Sequence, residues 1–179
     1  ERPEEVYTSI SGIHTAAHAN LEAQAALNQA LELNPAYTPA LYNLALLEEE
    51  SGNWPAAREI FGRILEAEPL HPGALSQLAD AEVIRDPVDP LVRGLKRALR
   101  QEGLAQPVQE KLLYALGKTH DDLQRYNEAF EYYLRANGLS RVRVGEYDKA
   151  GWEHAIDWVT QDCGSAWMTA IEPVSTDPM

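Results

Sequence analysis

A single cysteine, Cys163, stands in this chain of 179 residues, which excludes an internal disulfide and fits a reducing cytoplasm. No Lys, Arg or His lies beside it in sequence to lower its thiol pKa, so a reactive nucleophile is not expected there. No apolar run approaches the length of a bilayer span, and the first residues lack the charged-then-apolar order of a secretion signal. Sustained alternation of apolar and polar residues is missing too, so no sheet is expected. Basic residues are few. Against 28 Asp and Glu there are 15 Lys and Arg, a net charge of −13, which disfavours nucleic acid held through its phosphates and anionic membranes alike. The chain also lacks G-x-x-x-x-G-K-S/T, G-x-S-x-G and H-E-x-x-H, and its one Gly-Ser pair, Gly164-Ser165, has no basic neighbour and no strand before it. No catalytic site and no cofactor are expected.

What the chain has is a recurring apolar register. Between Thr38 and His71, apolar residues recur at Leu41, Leu44, Ala45 and Leu47, then at Ala56, Ala57, Ile60, Phe61, Ile64 and Leu65. Each set has the three-and-four spacing of one buried helix face. Ser51-Gly52-Asn53 separates the two sets, Gly52 suiting the left-handed residue that ends a helix, and Pro69 closes the second. Upstream, Tyr7, Ile10, Ser11, Ala23, Leu27, Ala30 and Pro35 take the same positions one unit earlier. Downstream, Leu75, Leu78 and Ala79 continue the register, and Leu113, Leu116, Gly117, Ala129, Tyr133 and Ala136 form a later copy. One helical hairpin cannot bury its stripe alone, whereas stacked hairpins can. The 34-residue interval is that of the tetratricopeptide repeat. The chain resembles that family over roughly residues 4–143, which implies an all-α, right-handed superhelical solenoid of helical hairpins.

Repeats are expected at about 4–37, 38–71, 72–109 and 110–143. The first has a weak turn, Ala17-His18-Ala19-Asn20, and its leading helix is open to fraying. The third begins well at 73–85 and then departs at Asp86-Pro87-Val88-Asp89-Pro90, with Asp89 an N-cap and Pro90 the first residue of the next helix. It is four residues longer than its neighbours, and the surplus is assigned to loops at Asp86–Pro90 and Gly103–Pro107. In the fourth, Tyr126 replaces Trp54, the trio Phe130, Tyr132 and Tyr133 is expected to thicken the packing, and Arg141 replaces the closing proline, so the helix should run on. Residues 144–170 are expected to supply a capping helix, carrying Ala150, Trp152, Ala155, Ile156 and Val159. Residues 171–179 read as a linker toward a following domain.

A narrower resemblance lies in residues 112–141, LLYALGKTHDDLQRYNEAFEYYLRANGLSR. This stretch is similar to the last repeat of tetratricopeptide proteins fused to a sulfotransferase domain. There a comparable sequence is followed by an Arg-bearing turn, one helix, a Pro-bearing linker and the catalytic domain. The resemblance implies that this chain is a non-catalytic front region, with the donor site beyond Met179.

Other clusters invite chemistry and fail on geometry. His14 and His18 have the one-turn spacing of a metal pair, but no third ligand is placed to complete the shell. His120-Asp121-Asp122 cannot converge on one atom, because successive helical residues point about 100° apart. Arg93, Lys96, Arg97 and Arg100 form a basic stripe opposite Leu91, Leu95 and Leu99, read as a solvated face or as a docking stripe for an acidic surface, including that of a following domain.

The family's concave groove is the better candidate. Tetratricopeptide arrays line it with their first helices, which implies Tyr42, Asn43, Leu46, Glu49 and Glu50 from the second repeat, Ser76, Gln77 and Asp80 from the third, and Tyr114, Lys118 and Asp121 from the fourth. The family's version that grips C-terminal carboxylates needs Lys, Asn and Arg where this chain has Thr8, Gly12 and Gln77. Only Asn43 matches, so chaperone-tail binding is not expected. Two functions follow. In one, the array serves a sulfotransferase fusion by presenting substrate or by docking on its own catalytic domain. In the other, it is a stand-alone adaptor that holds an extended, basic peptide. Both place it in the cytoplasm with a protein partner.

Overall fold

The computed structural model describes residues 2–144 and 149–162, and all their regular structure is helical, with no strand among the described residues. The helices are α1 (Pro3–Ala16), α2 (Asn20–Leu33), α3 (Thr38–Glu50), α4 (Trp54–Ala67), α5 (Pro72–Ala81), α6 (Pro90–Ala98), α7 (Gln106–Asp122), α8 (Tyr126–Val144) and α9 (Lys149–Asp162). Proline occupies the first or second position of α1, α3, α4, α5, α6 and α7. A missing N–H costs nothing there, because those donors have no partner within the helix. The chain divides into two units, 1–140 and 141–179. The first is a solenoid of hairpins.

The turns inside the first, second and fourth hairpins obey one rule. His18, Gly52 and Gln124 all have positive φ, at 56°, 78° and 58°. In each case the next amide closes a wider loop: Ala19 donates to the His14 carbonyl, Asn53 to Glu48 and Arg125 to His120. This is the left-handed cap that satisfies the last carbonyls of a helix. The weak-looking first turn therefore has the same geometry as the glycine one, and α1 is helical from Pro3.

Packing follows the register. Leu41, Ala45, Ala57, Phe61 and Ile64 form one buried cluster in the second hairpin. Leu75, Ala79, Leu95, Ala98, Leu112 and Leu116 form another that joins the third hairpin to the fourth. Ala23, Leu27, Ala30 and Ala40 fill the joint between the first and second hairpins.

The third hairpin departs from its neighbours as expected, but differently in detail. Helix α5 stops at Ala81, short of Arg85, and the segment up to Asp89 is non-helical. Asp89 caps α6, its carboxylate accepting from the Leu91 amide at 2.8 Å. What ends α5 early lies on another helix. The Asp122 carboxylate accepts from the Ile84 amide at 2.9 Å and from the Lys118 amine at 2.7 Å, and that amine also donates to the Glu82 carbonyl. Ile84 is thereby tucked in at 2% exposure. No local signal in residues 73–85 could announce a partner that far along the chain.

Helix α8 runs through Arg141 to Val144. Tyr132 and Tyr133 are half-buried, but Phe130 is 66% exposed and does not thicken the packing. Its repeat position is that of Arg58, which is also exposed. Register decides the side, and aromatic character does not override it. Tyr126 is 62% exposed where Trp54 is half-buried against Phe61. In the second unit α9 falls within the stretch expected to hold a capping helix, with Trp152 and Ile156 exposed. Cys163 and the expected linker at 171–179 lie outside the described residues.

Candidate functional site

Helices α1, α3, α5 and α7 open the four hairpins, α1 packing on α3 and α5 on α7. Tyr42 and Glu49 reach from α3 to α5. The Tyr42 ring covers Gly73, and Glu49 accepts a 2.6 Å hydrogen bond from the Gln77 amide group. The result is one continuous inner face with distinct ends.

At the end where these helices begin, Tyr42 stacks obliquely on His71, ring centroids 5.2 Å apart, and its hydroxyl accepts from Lys111 at 3.3 Å. At the end where they finish, acidic groups collect: half-buried Glu49 and exposed Glu50, Asp80 and Asp121. Partial burial pushes the Asp80 carboxyl above its ordinary value, the nearby Lys111 and Lys118 pull it down, and Glu49 adds to the rise. Asn43, Leu46 and Glu50 line a hollow of about 320 Å³ that Gly12 and Thr15 of α1 help to wall.

Three expected face residues are buried or committed to other partners. Ser76 is fully buried. At the equivalent positions Tyr42 and Tyr114 reach beyond the packed backbone, whereas a hydroxymethyl group is too short to do so. Lys118 is committed to the strap with Asp122 and Glu82. Tyr114 is half-buried and donates to the Asn137 side chain of α8 at 2.7 Å. The residue that sequence reasoning missed is Lys111, which stands one turn before Tyr114 on the same face. The three-residue step from Tyr114 could have found it.

On α6 and the two residues after it, Arg93, Arg97 and Arg100 are exposed and Lys96 is half-buried, while Leu95 is fully buried and Leu91 and Leu99 are partly so. His18 occupies the left-handed turn position. No group of three or more His, Cys, Asp or Glu able to hold a metal is assembled among the described residues.

His120 belongs to the core. Fully buried, it is bonded through Nδ1 to the Leu116 carbonyl at 2.8 Å, and its ring lies 4.8 Å from that of Tyr132. Its Nε2 faces Glu128 at 3.5 Å. Burial lowers the imidazole pKa below 6.5, the Leu116 carbonyl and Glu128 opposing and Lys96 and Arg125 assisting. The folded chain therefore holds this ring neutral at pH values where the unfolded chain protonates it. Stability should fall as pH drops below about 6.5 and level off once the folded ring also titrates. Thermal unfolding at pH 7.5 and 5.5 should show a smaller acid loss in His120→Gln than in the parent chain. Equal losses would mean that this ring contributes nothing to the pH dependence.

Among the described residues no helix is long and apolar enough to cross a membrane. No curated protein matches the chain. Among solved structures it is similar to pilF from Pseudomonas aeruginosa, with a TM-score of 0.65 and 17% identity, covering 78% of this chain and 62% of that one. The chain thus spans less than two thirds of that protein's length. It is also similar to MamA, with a TM-score of 0.59, 14% identity and coverage of 81% of this chain and 82% of that one. An RS-1 MamA double mutant gives 0.58 and 14%, covering 82% and 80%. At such identities the likeness concerns the fold. Family profiles described as tetratricopeptide repeat match residues 14–82 and 110–142, leaving out most of the irregular third hairpin, and over those two stretches the chain is built from tetratricopeptide repeats.

Proposed function

We propose that the inner face holds an extended, basic segment of a partner protein and that this chain acts as a binding scaffold without chemistry of its own. The observation that carries this reading is the row Glu49, Glu50, Asp80 and Asp121, presented along one end of a face that also offers Tyr42 and Asn43. Lys118 acts on Asp80 but is held by Asp122 and the Glu82 carbonyl, and the four carboxylates outnumber the cations beside them. Attraction of this kind is screened by salt and favours one sign of partner.

Basic peptides should therefore bind more tightly than acidic ones of equal length, with affinity falling as salt rises. Replacing Glu49 and Glu50 together with Gln should weaken a basic peptide about fivefold at low salt, the order expected for two partly exposed ion pairs. The unfolding midpoint should stay close to that of the parent. Fluorescence anisotropy with a matched peptide panel checks this, and equal binding of both signs, or none, would overturn it.

A narrower setting is supported by the stretch 112–141, which resembles the repeat that precedes a sulfotransferase domain. In that setting the inner face hands a protein segment to a catalytic domain, and the stripe of Arg93, Lys96, Arg97 and Arg100 docks on an acidic surface of it. A reading frame running past Met179 into a strand and a phosphate-cradling loop would support this, and a stop soon after Met179 would remove it. The cytoplasmic setting rests on the single cysteine and the lack of a spanning run.

A further inference from the structure

The inner face carries a hollow of about 400 Å³ where α3, the start of α5 and the start of α7 meet. That lies within the roughly 300–1,000 Å³ range of ligand pockets. Its walls are the rings of Tyr42, Pro72 and Pro107 and the side chain of Val108. The starts of two helices, which elsewhere would offer backbone donors, here present proline carbons. The polar groups at its edge are already engaged. His71 Nδ1 accepts from the Ala74 amide at 3.1 Å, and burial holds the imidazole pKa low. The Tyr42 hydroxyl accepts from Lys111. The outer end of the Tyr42 ring lies against Gly73, where a Cβ would come within 2.6 Å of it, so glycine permits the ring to form the floor. The hollow therefore suits an apolar side chain, and the Lys111 ammonium at its rim repels a basic one.

The acidic row stands seven residues further along the same helices, Glu49 after Tyr42 and Asp80 after Gly73. At 1.5 Å per residue that is about 10 Å. An extended peptide covers the same distance in about three residues at ~3.3 Å each. Resting on the reading of this face as a peptide-binding surface, we infer that the Tyr42–Pro107 hollow seats one apolar side chain of the partner segment, with a Lys or Arg three residues away over Glu49 and Asp80.

The test uses Gly/Ser-based peptides carrying one Leu and one Arg at a spacing of one, three or six, in both chain directions, together with a Leu→Gly control. Fluorescence anisotropy with the full chain at low salt reads the dissociation constants. The spacing of three, in one direction, should bind about tenfold more tightly than the control, the order expected for burying a leucine side chain. Val108→Trp, which fills the hollow, should abolish the advantage of Leu and leave the dependence on Arg. Tyr42→Ala, which removes the floor, gives a second reading if Val108→Trp lowers the unfolding midpoint. Arg-bearing peptides that bind alike with or without Leu would overturn the anchor and leave the basic-peptide reading standing. A preference for spacing one or six would overturn the register. Binding by none of them would overturn both.

Discussion

Phe61→Ala should lower the unfolding free energy by about 3–5 kcal/mol, the range for truncating a fully buried aromatic ring. Phe61 has no exposed surface, and its ring centroid lies 6.0 Å from that of Tyr42 and 6.3 Å from that of Trp54. It belongs to the cluster that holds α3, α4 and α5 together through Leu41, Ala57, Ile64 and Ala74. These neighbours come from three helices, so the gap cannot close by moving one of them. Domains of this size are stable by only about 5–15 kcal/mol, so the loss is a large part of the total. In a solenoid each hairpin leans on its neighbours, and the variant should unfold in two steps, with the first two hairpins separating from the rest. Urea unfolding followed by circular dichroism checks both points. A single transition with a loss below about 1 kcal/mol would show that the ring is not a keystone of the second hairpin.

The second large effect concerns volume added rather than removed. Ala129 is 2% exposed, and Ala57 and Ala23, at the same repeat position, are fully buried. Each is buried on the second helix of its hairpin, so a longer side chain has to displace its neighbours. Ala129→Leu should cost about 1–3 kcal/mol through overpacking. The same change at exposed Ala25 of α2 is the control, since the added carbons there meet solvent. Equal unfolding midpoints for Ala129→Leu and the parent would place Ala129 outside the packed interface.

The positions legible in the sequence were those set by local rules. Alanine at 23, 57 and 129, the glycine turn at 52 and the N-capping Asp89 each answer to residues within a few positions of them. The break after the third hairpin's first helix was visible for the same reason, in its two prolines. Hidden features depended on partners far along the chain. Asp122 pins the Ile84 amide, Lys111 reaches the Tyr42 hydroxyl, and Gln77 bonds Glu49. None leaves a mark in periodicity. Ser76 and Phe130 show a second limit. The repeat assigns a position to a helix face, but the length of the side chain decides whether it reaches the surface, and the face decides whether an aromatic ring is covered. The hollow at Tyr42 combines both limits, since its walls come from three separated segments.

The strap from Lys118 and Asp122 to residues 82–84 has a consequence for how such an array tolerates changes in length. The third hairpin carries four residues more than its neighbours, yet α7 still packs directly on both α5 and α6. The surplus is taken up by ending α5 early and fastening the slack to the helix that follows. An insertion between two helices is thus stored as a fastened loop, and the helices on either side of it still meet.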